Sequence, residues 1–491
     1  MDPDAKQEES LLARASSALG WSFANTVAGR LGTLAIGIAL ARLLGPKEFG
    51  TYAVALIALM AVLSFNELGV SLAIVRWPGD PGEIAPTVNT ISLIASTLIA
   101  AVTYVGAPAF SSAMGEPDAT EVVRLLGLTV ILSGGVASPA ALMQRMFKQN
   151  TRMLIDQITV WVGALTSISL AITGSGAMSL AVGRLAGAGI GAALFIKLSP
   201  QPYRLGFNRA QVGPLLRFGL PLAGASVVVF AIGFADQIAV GRMLGPTALG
   251  FYVLAFNLSQ WPIMVFSQPL RNVAPATFSR MQHEPETMRS AFRGIIGLLA
   301  AVSFPVCLLL SGAAGPIIGF VYGSEWAPAA AVLAWLGGLA AFKILYELAY
   351  DYLVVIGASR AILGLQVITL VSLVPALIIG ISVAGIAGAA AAQVGVAALV
   401  MLPLYVVLLS RVGLDPRRLF RRILPAIVIA AGVGVAGLAI SEVLPSDLAA
   451  CLLAGIVTLA SLVGLVHRDR AELGRLRSGT WTPVAPGGAG P

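Results

Sequence analysis

Long apolar runs alternate with short polar breaks along almost the whole chain. Spanning about 30 Å of hydrocarbon takes about 20 residues of helix. About fourteen runs reach or approach that length, at about 20–41, 50–75, 88–110, 121–142, 154–174, 176–197, 213–239, 250–270, 291–313, 329–350, 361–382, 384–410, 424–441 and 447–466. The fifth and sixth runs are parted only by Gly174-Ser175-Gly176, and the eleventh and twelfth only by the region around Ala384-Gly385. Each of these pairs is predicted to be a helical hairpin.

The breaks carry a repeat. Arg42-Leu43-Leu44-Gly45-Pro46-Lys47-Glu48-Phe49-Gly50-Thr51-Tyr52 returns as Arg242-Met243-Leu244-Gly245-Pro246-Thr247-Ala248-Leu249-Gly250-Phe251-Tyr252. Arg, Leu, Gly-Pro, Gly and Tyr keep one spacing, which two unrelated apolar segments would not do. Gly tolerates the left-handed residue past a helix end and Pro opens the next helix, so each copy is a tight helix-to-helix turn. An even number of spans separates the copies. Residues 20–197 and 213–410 are therefore two six-helix lobes in the same orientation, a parallel repeat typical of transporters. Residues 198–212, which contain Pro200 and Pro202, make a short surface strap between the lobes. Residues 411–466 are an extra helix pair without a counterpart, read as an appendage. Residues 1–19 form a cytoplasmic N-terminal segment and 467–491 a cytoplasmic, disordered tail.

Composition sharpens this picture. With 57% hydrophobic and 11% charged residues, the chain is too apolar for a soluble domain, so the fold class is an all-α polytopic membrane protein. Cys307 and Cys451 both sit in apolar runs, which offers no disulfide framework and no metal site. The net charge of +8 falls in short loops, as the positive-inside rule places it, and does not mark a nucleic-acid binder. Arg42, Lys47 and Arg242 fall on one side of the membrane. The other side takes Arg145, Lys148, Arg152, Arg289, Arg293, Arg417, Arg418, Arg421, Arg422 and all the remaining loop cations. Both termini are thus expected in the cytoplasm.

Cations inside the spans are expensive and should face a cavity or a partner. Arg124 starts its helix and can reach the outer surface. Arg30, Arg184 and Lys343 lie deeper. Arg30 shares a face with Ser22, Thr26 and Thr33; a structural bond to helix-end carbonyls is its other reading. Lys343, Tyr346, Glu347 and Tyr350 share a face beside Asp351, and Lys343 and Glu347 can also simply neutralise one another. Asn257, Trp261, Gln268 and Arg271 form a further aromatic and polar stripe, suited to a carbohydrate, although Arg271 can instead mark the end of its span. Asp236, beside Gln237, can bind a proton or a cation, or sit at the outer interface.

The two turns, the fourteen runs and Asp236-Gln237-Ile238-Ala239-Val240-Gly241-Arg242-Met243-Leu244-Gly245 resemble the bacterial polysaccharide and lipid-linked oligosaccharide flippases of the multidrug, oligosaccharidyl-lipid and polysaccharide exporter superfamily, in the branch of teichuronic-acid and colanic-acid exporters. Pro275-Ala276-Thr277-Phe278-Ser279-Arg280, after the eighth run, matches a segment of that family. Fourteen spans also resemble the lipid II flippases, in which an added helix pair helps form a groove for the lipid tail. The resemblance implies a transporter of the bacterial inner membrane, not an enzyme, that moves an undecaprenyl-diphosphate-linked glycan outward by alternating access. It implies no cofactor, and contacts with membrane lipid and glycan polymerase machinery. Asp236 and Glu347, among the few carboxylates well inside the spans, are expected by position to couple transport to H+ or Na+. Substrate contacts expected on position alone are Arg30, Arg184 and Lys343 for the diphosphate, and Asn257, Trp261, Gln268, Tyr346 and Tyr350 for the sugars. A drug or cation antiporter of the same superfamily is the alternative. A glycan polymerase or ligase would be expected to carry a long outer loop with catalytic residues, and the outer loops here are short.

Overall fold

The computed structural model describes residues 3–65, 70–281, 283–468 and 470, with side chains described from residue 32 onward except at 225, 272, 273, 275–277 and 280. Arg30, Ser22 and Thr26 as side chains, and the tail from 471, lie outside the described residues. The chain divides into two compact units, 1–231 and 232–491.

The first unit contains α1 (Pro3–Leu63), α2 (Ser71–Arg76), α3 (Pro81–Ala113), α4 (Thr120–Arg145), α5 (Gln149–Ile172) and α6 (Ala177–Lys197), and the start of α7 (Arg209–Leu244). The second holds the end of α7 with α8 (Pro246–Ser259), α9 (Gln268–Arg280), α10 (Pro285–Gly312), α11 (Ala314–Tyr322), α12 (Ala329–Val355), α13 (Ser359–Val396), α14 (Leu402–Arg411), α15 (Pro416–Val443) and α16 (Asp447–Arg468). Among the described residues, twelve helices are long and apolar enough to cross a membrane. Two of these, Gly32–Leu63 and Ser359–Arg411, run through the breaks at Gly45 and at Ala384-Gly385 that the sequence reads as turns between spans.

The repeat is visible in backbone angles. Gly45 has φ 72° and ψ 173°, Gly245 has φ 83° and ψ −178°, and a proline follows each. The two hairpin turns match as well, Gly176 at φ 51° and ψ −142° and Gly385 at φ 57° and ψ −135°. These conformations favour glycine because a Cβ would clash. Small residues let each hairpin close tightly: a Cβ on Gly183 would lie 2.5 Å from the Gly163 carbonyl oxygen, and one on Gly388 would lie 1.8 Å from that of Gly380.

In the first unit, the strap is ordered and bound to the start of α3. Asn89 donates to the Arg204 carbonyl at 2.9 Å, and Thr90 donates to that of Gly206 at 2.7 Å. The Gly206 and Asn208 amides donate to the Pro86 carbonyl and the Thr87 hydroxyl, both at 3.2 Å. Leu215 of α7 joins the core made by Val70, Ile74, Ile84, Val88 and Leu142. The first turns of α7 thereby belong to the first unit, and the division falls inside α7 rather than in the strap. Arg145 donates to the carbonyls of Ile74, Trp77 and Gly79 at 2.6–2.9 Å, closing the end of α2. Arg124 stays at the start of α4, bonded to Glu121 at 2.6 Å and lying over the Tyr104 ring.

In the second unit the extra helix pair is no appendage. A Cβ on Gly312 of α10 would lie 2.1 Å from the Gly434 carbonyl oxygen of α15, so the two backbones touch. Arg289 of α10 donates to the Val412 carbonyl at 3.2 Å, which ties down the turn before α15. The sequence could not show this because the small residues that permit it, Gly312, Gly434 and Gly437, have no periodic signature of their own.

Candidate functional site

Polar side chains inside the second unit collect around α12, flanked by two π-helical turns, Ile263–Ser267 between α8 and α9 and Ala397–Met401 between α13 and α14. A π turn inserts an extra residue and rotates the downstream helix by about 100°. Asn257 and Trp261 therefore do not share a face with Gln268 and Arg271, contrary to the stripe expected from regular helical spacing. The rotation instead carries Ser267 and Arg271 onto α12. The Arg271 guanidinium grips Asp351 through two hydrogen bonds of 2.9 and 3.2 Å and lies 3.6 Å from Glu347. Ser267 donates to the other Glu347 oxygen at 2.5 Å.

Glu347 is thus held by Arg271 and Ser267. The expected neutralisation by Lys343 is not what the structure shows: among the described residues no ion pair joins the two, and the Lys343 ammonium lies 5.1 Å from the centre of the Phe256 ring. Tyr346 is buried, donates its hydroxyl to the Ala397 carbonyl at 2.6 Å and stacks on Tyr405 at 4.9 Å between centroids. Its hydroxyl closes the second π turn, where the extra residue disturbs the regular carbonyl ladder. That assigns it to packing within the unit, in place of the expected sugar contact. Tyr350 is half-buried on the same helix.

Asp236 is buried at 4% exposure. One carboxylate oxygen accepts from the Gln237 amide at 2.9 Å; the other accepts from the Tyr252 hydroxyl and the Gln393 amide, each at 2.8 Å. Gln393 also bonds the Tyr252 hydroxyl. The two repeated tyrosines thus differ in use, since Tyr52 packs beside the apolar cluster of Leu40, Ala171 and Leu180. Gln393, Ser267 and Tyr405 were not singled out by the sequence. A lone glutamine or serine in an apolar run carries no pattern, and only the fold brings these residues to Asp236, Glu347 and Tyr346.

Beside this cluster, an apolar groove of about 380 Å³ is lined by α10, α12, α14 and α15, including Ile296, Phe304, Leu345, Tyr405, Leu419 and Ile423. Tyr405 lines the groove and also interacts electrostatically with Arg271, Glu347 and Asp351. In the first unit Arg184 is exposed on α6, Arg42 and Arg242 are exposed in their respective units, and Asn257 and Gln268 of the second unit are exposed. No group of His, Cys, Asp and Glu side chains suited to a metal occurs among the described residues.

Comparison with known proteins agrees with this architecture. The chain is 26% identical over 65% of its length, and 64% of the relative's, to the succinoglycan biosynthesis transport protein ExoT of Rhizobium meliloti strain 1021. It is 22% identical to the lipopolysaccharide biosynthesis protein WzxC of Escherichia coli K12, over 58% of this chain and 59% of that one. The match therefore spans less than two thirds of either relative. Among solved structures, the lipid II flippase MurJ in an inward closed conformation superposes with a TM-score of 0.75 at 14% identity, covering 91% of this chain and 100% of that one. A multidrug-resistance transporter of the MATE family gives 0.62 at 16% identity, over 77% and 95%. At these identities the likeness is one of fold. A family model described as polysaccharide biosynthesis protein matches residues 39–331, more than half of the chain, and the protein belongs to that family.

Proposed function

We propose that the protein is a membrane transporter, not an enzyme, that moves a lipid-linked glycan precursor outward across the bacterial inner membrane, with both termini in the cytoplasm. The observation that carries this reading is the charged cluster on α12 adjoining an apolar groove within one unit, a pairing suited to an amphipathic lipid with an anionic head. The groove suits an isoprenoid tail, because its lining is almost wholly apolar and its edge at Tyr405 meets charged side chains. The family match supports a glycan cargo over a drug.

In this reading Arg30, Arg184 and Lys343 supply positive charge for the diphosphate, and Asn257, Trp261, Gln268 and Tyr350 contact sugars. Asp236 and Glu347 carry the coupling proton or sodium ion. Moving negative charge outward is favoured by a potential negative inside, at about 2.3 kcal/mol per charge per 100 mV, so resetting the empty protein is the step that needs the ion. Contacts with the machinery that polymerises the glycan would follow from release at the outer face.

The test is reconstitution into vesicles with a fluorescent undecaprenyl-diphosphate-linked oligosaccharide in one leaflet. Protein-dependent appearance of the label in the other leaflet, accelerated by an imposed proton or sodium gradient, is the expected result. A rate no higher than in protein-free vesicles overturns the reading.

A further inference from the structure

Arg271 is held by two carboxylates of α12, whereas the sequence read it as part of a carbohydrate-suited stripe or as the mark of a span's end. Its guanidinium presents a fork that fits two oxygens at once, and Asp351 occupies that fork now. A phosphate offers the same pair of oxygens with greater charge. The π turn Ile263–Ser267 is what aims Arg271 at α12; a regular helix would turn it away.

A purely structural ion pair would need one carboxylate. Here two, Glu347 and Asp351, stand four residues apart on one face of α12, where like charges repel. Their side chains are 26% and 10% exposed and that of Arg271 is 29% exposed, so Asp351 is the deeper partner and the guanidinium is still reachable. Tyr350 on α12 and Tyr405 on α14 stand near it, with Lys343 one turn from Glu347 and unpaired with it among the described residues. Tyr405 also lines the apolar groove.

We infer that Arg271 is a guarded anion site: a phosphate group of a lipid diphosphate displaces Asp351 and Glu347 from its guanidinium, and the same carboxylates later compete the phosphate off. The guards keep the empty site from carrying an unpaired cation within a span, which would be costly. They also keep affinity low enough for release. Lys343 is placed to balance the carboxylates once Arg271 has turned to the phosphate. The inference rests on the proposed transport function for its substrate class and adds to it a site and an order of events.

The experiment measures binding to the full-length protein in detergent micelles, using farnesyl diphosphate, inorganic diphosphate and farnesol as probes. Arg271→Gln should weaken farnesyl diphosphate by about tenfold or more, and Arg271→Lys should weaken it less. Asp351→Asn and Glu347→Gln should tighten it, because each removes a competitor, while none of the four changes farnesol binding. Asp351→Asn weakening farnesyl diphosphate as much as Arg271→Gln does would show a structural pair and overturn the inference. Glu347 stands outside the two-bond grip, so Glu347→Gln decides between the same two outcomes if Asp351→Asn does not fold. Inorganic diphosphate binding as tightly as farnesyl diphosphate would overturn the lipid head group as ligand. Transport by the wild type that persists unchanged in Arg271→Gln sinks this inference and leaves the function standing. The predicted binding pattern without any glycan-lipid transport does the reverse.

Discussion

Replacing Gly312 by Ala tests whether the extra helix pair is integral to the second unit. The added Cβ would lie 2.1 Å from the Gly434 carbonyl oxygen and 2.8 and 2.9 Å from its carbon and Cα, all backbone atoms that cannot swing aside. Ordinary contact begins near 3.4 Å, so the backbones must part by 3.4 − 2.1 = 1.3 Å along that line. Overpacking of this kind costs about 3 kcal/mol at the upper end of its usual range, against about 1 kcal/mol recovered from the better helix propensity of Ala. A net loss of about 2 kcal/mol corresponds to roughly 4–8 °C in the unfolding midpoint of a unit of this size. Cys307 provides the readout, because its thiol is fully buried on α10 and becomes reactive only when that helix loosens. With Cys451 replaced by Ser, a thiol-reactive dye followed through a thermal ramp reports Cys307 alone. Gly432→Ala on α15 is the control, as its Cβ would meet no atom within 4 Å. Gly312→Ala melting at the same temperature as Gly432→Ala would refute the close approach of α10 and α15.

Two further outcomes are expected. A disulfide between Thr87→Cys and Asn208→Cys, in a chain lacking Cys307 and Cys451, should leave transport intact, because the strap is already bound to α3 at that point; loss of transport that a reductant restores would show that the strap must undock. Single cysteines at 47 and 418 in the same background should be labelled from outside intact cells at 47 only, and labelling at 418 without 47 would reverse the proposed orientation.

The broad plan was legible because it is written in local chemistry. Hydrophobic length identified the spanning helices. The Gly-Pro pairs at 45–46 and 245–246 announced their turns, since positive φ and a helix-opening proline are properties of those residues wherever they stand. The likeness of Arg42–Tyr52 to Arg242–Tyr252 was enough to predict two halves of one design. What the sequence alone could not decide was which polar groups meet. Regular spacing put Asn257, Trp261, Gln268 and Arg271 on one stripe, and a single π turn, settled by packing against α12, moved the last two off it. Nearness along one helix suggested Lys343 for Glu347, whereas Arg271 from another helix took that place, because a guanidinium fork delivered by tertiary packing outcompetes a flexible ammonium one turn away. Gln393 stands 157 residues from the Asp236 it bonds. No local pattern can encode that distance, because the meeting exists only once the helices between them have packed.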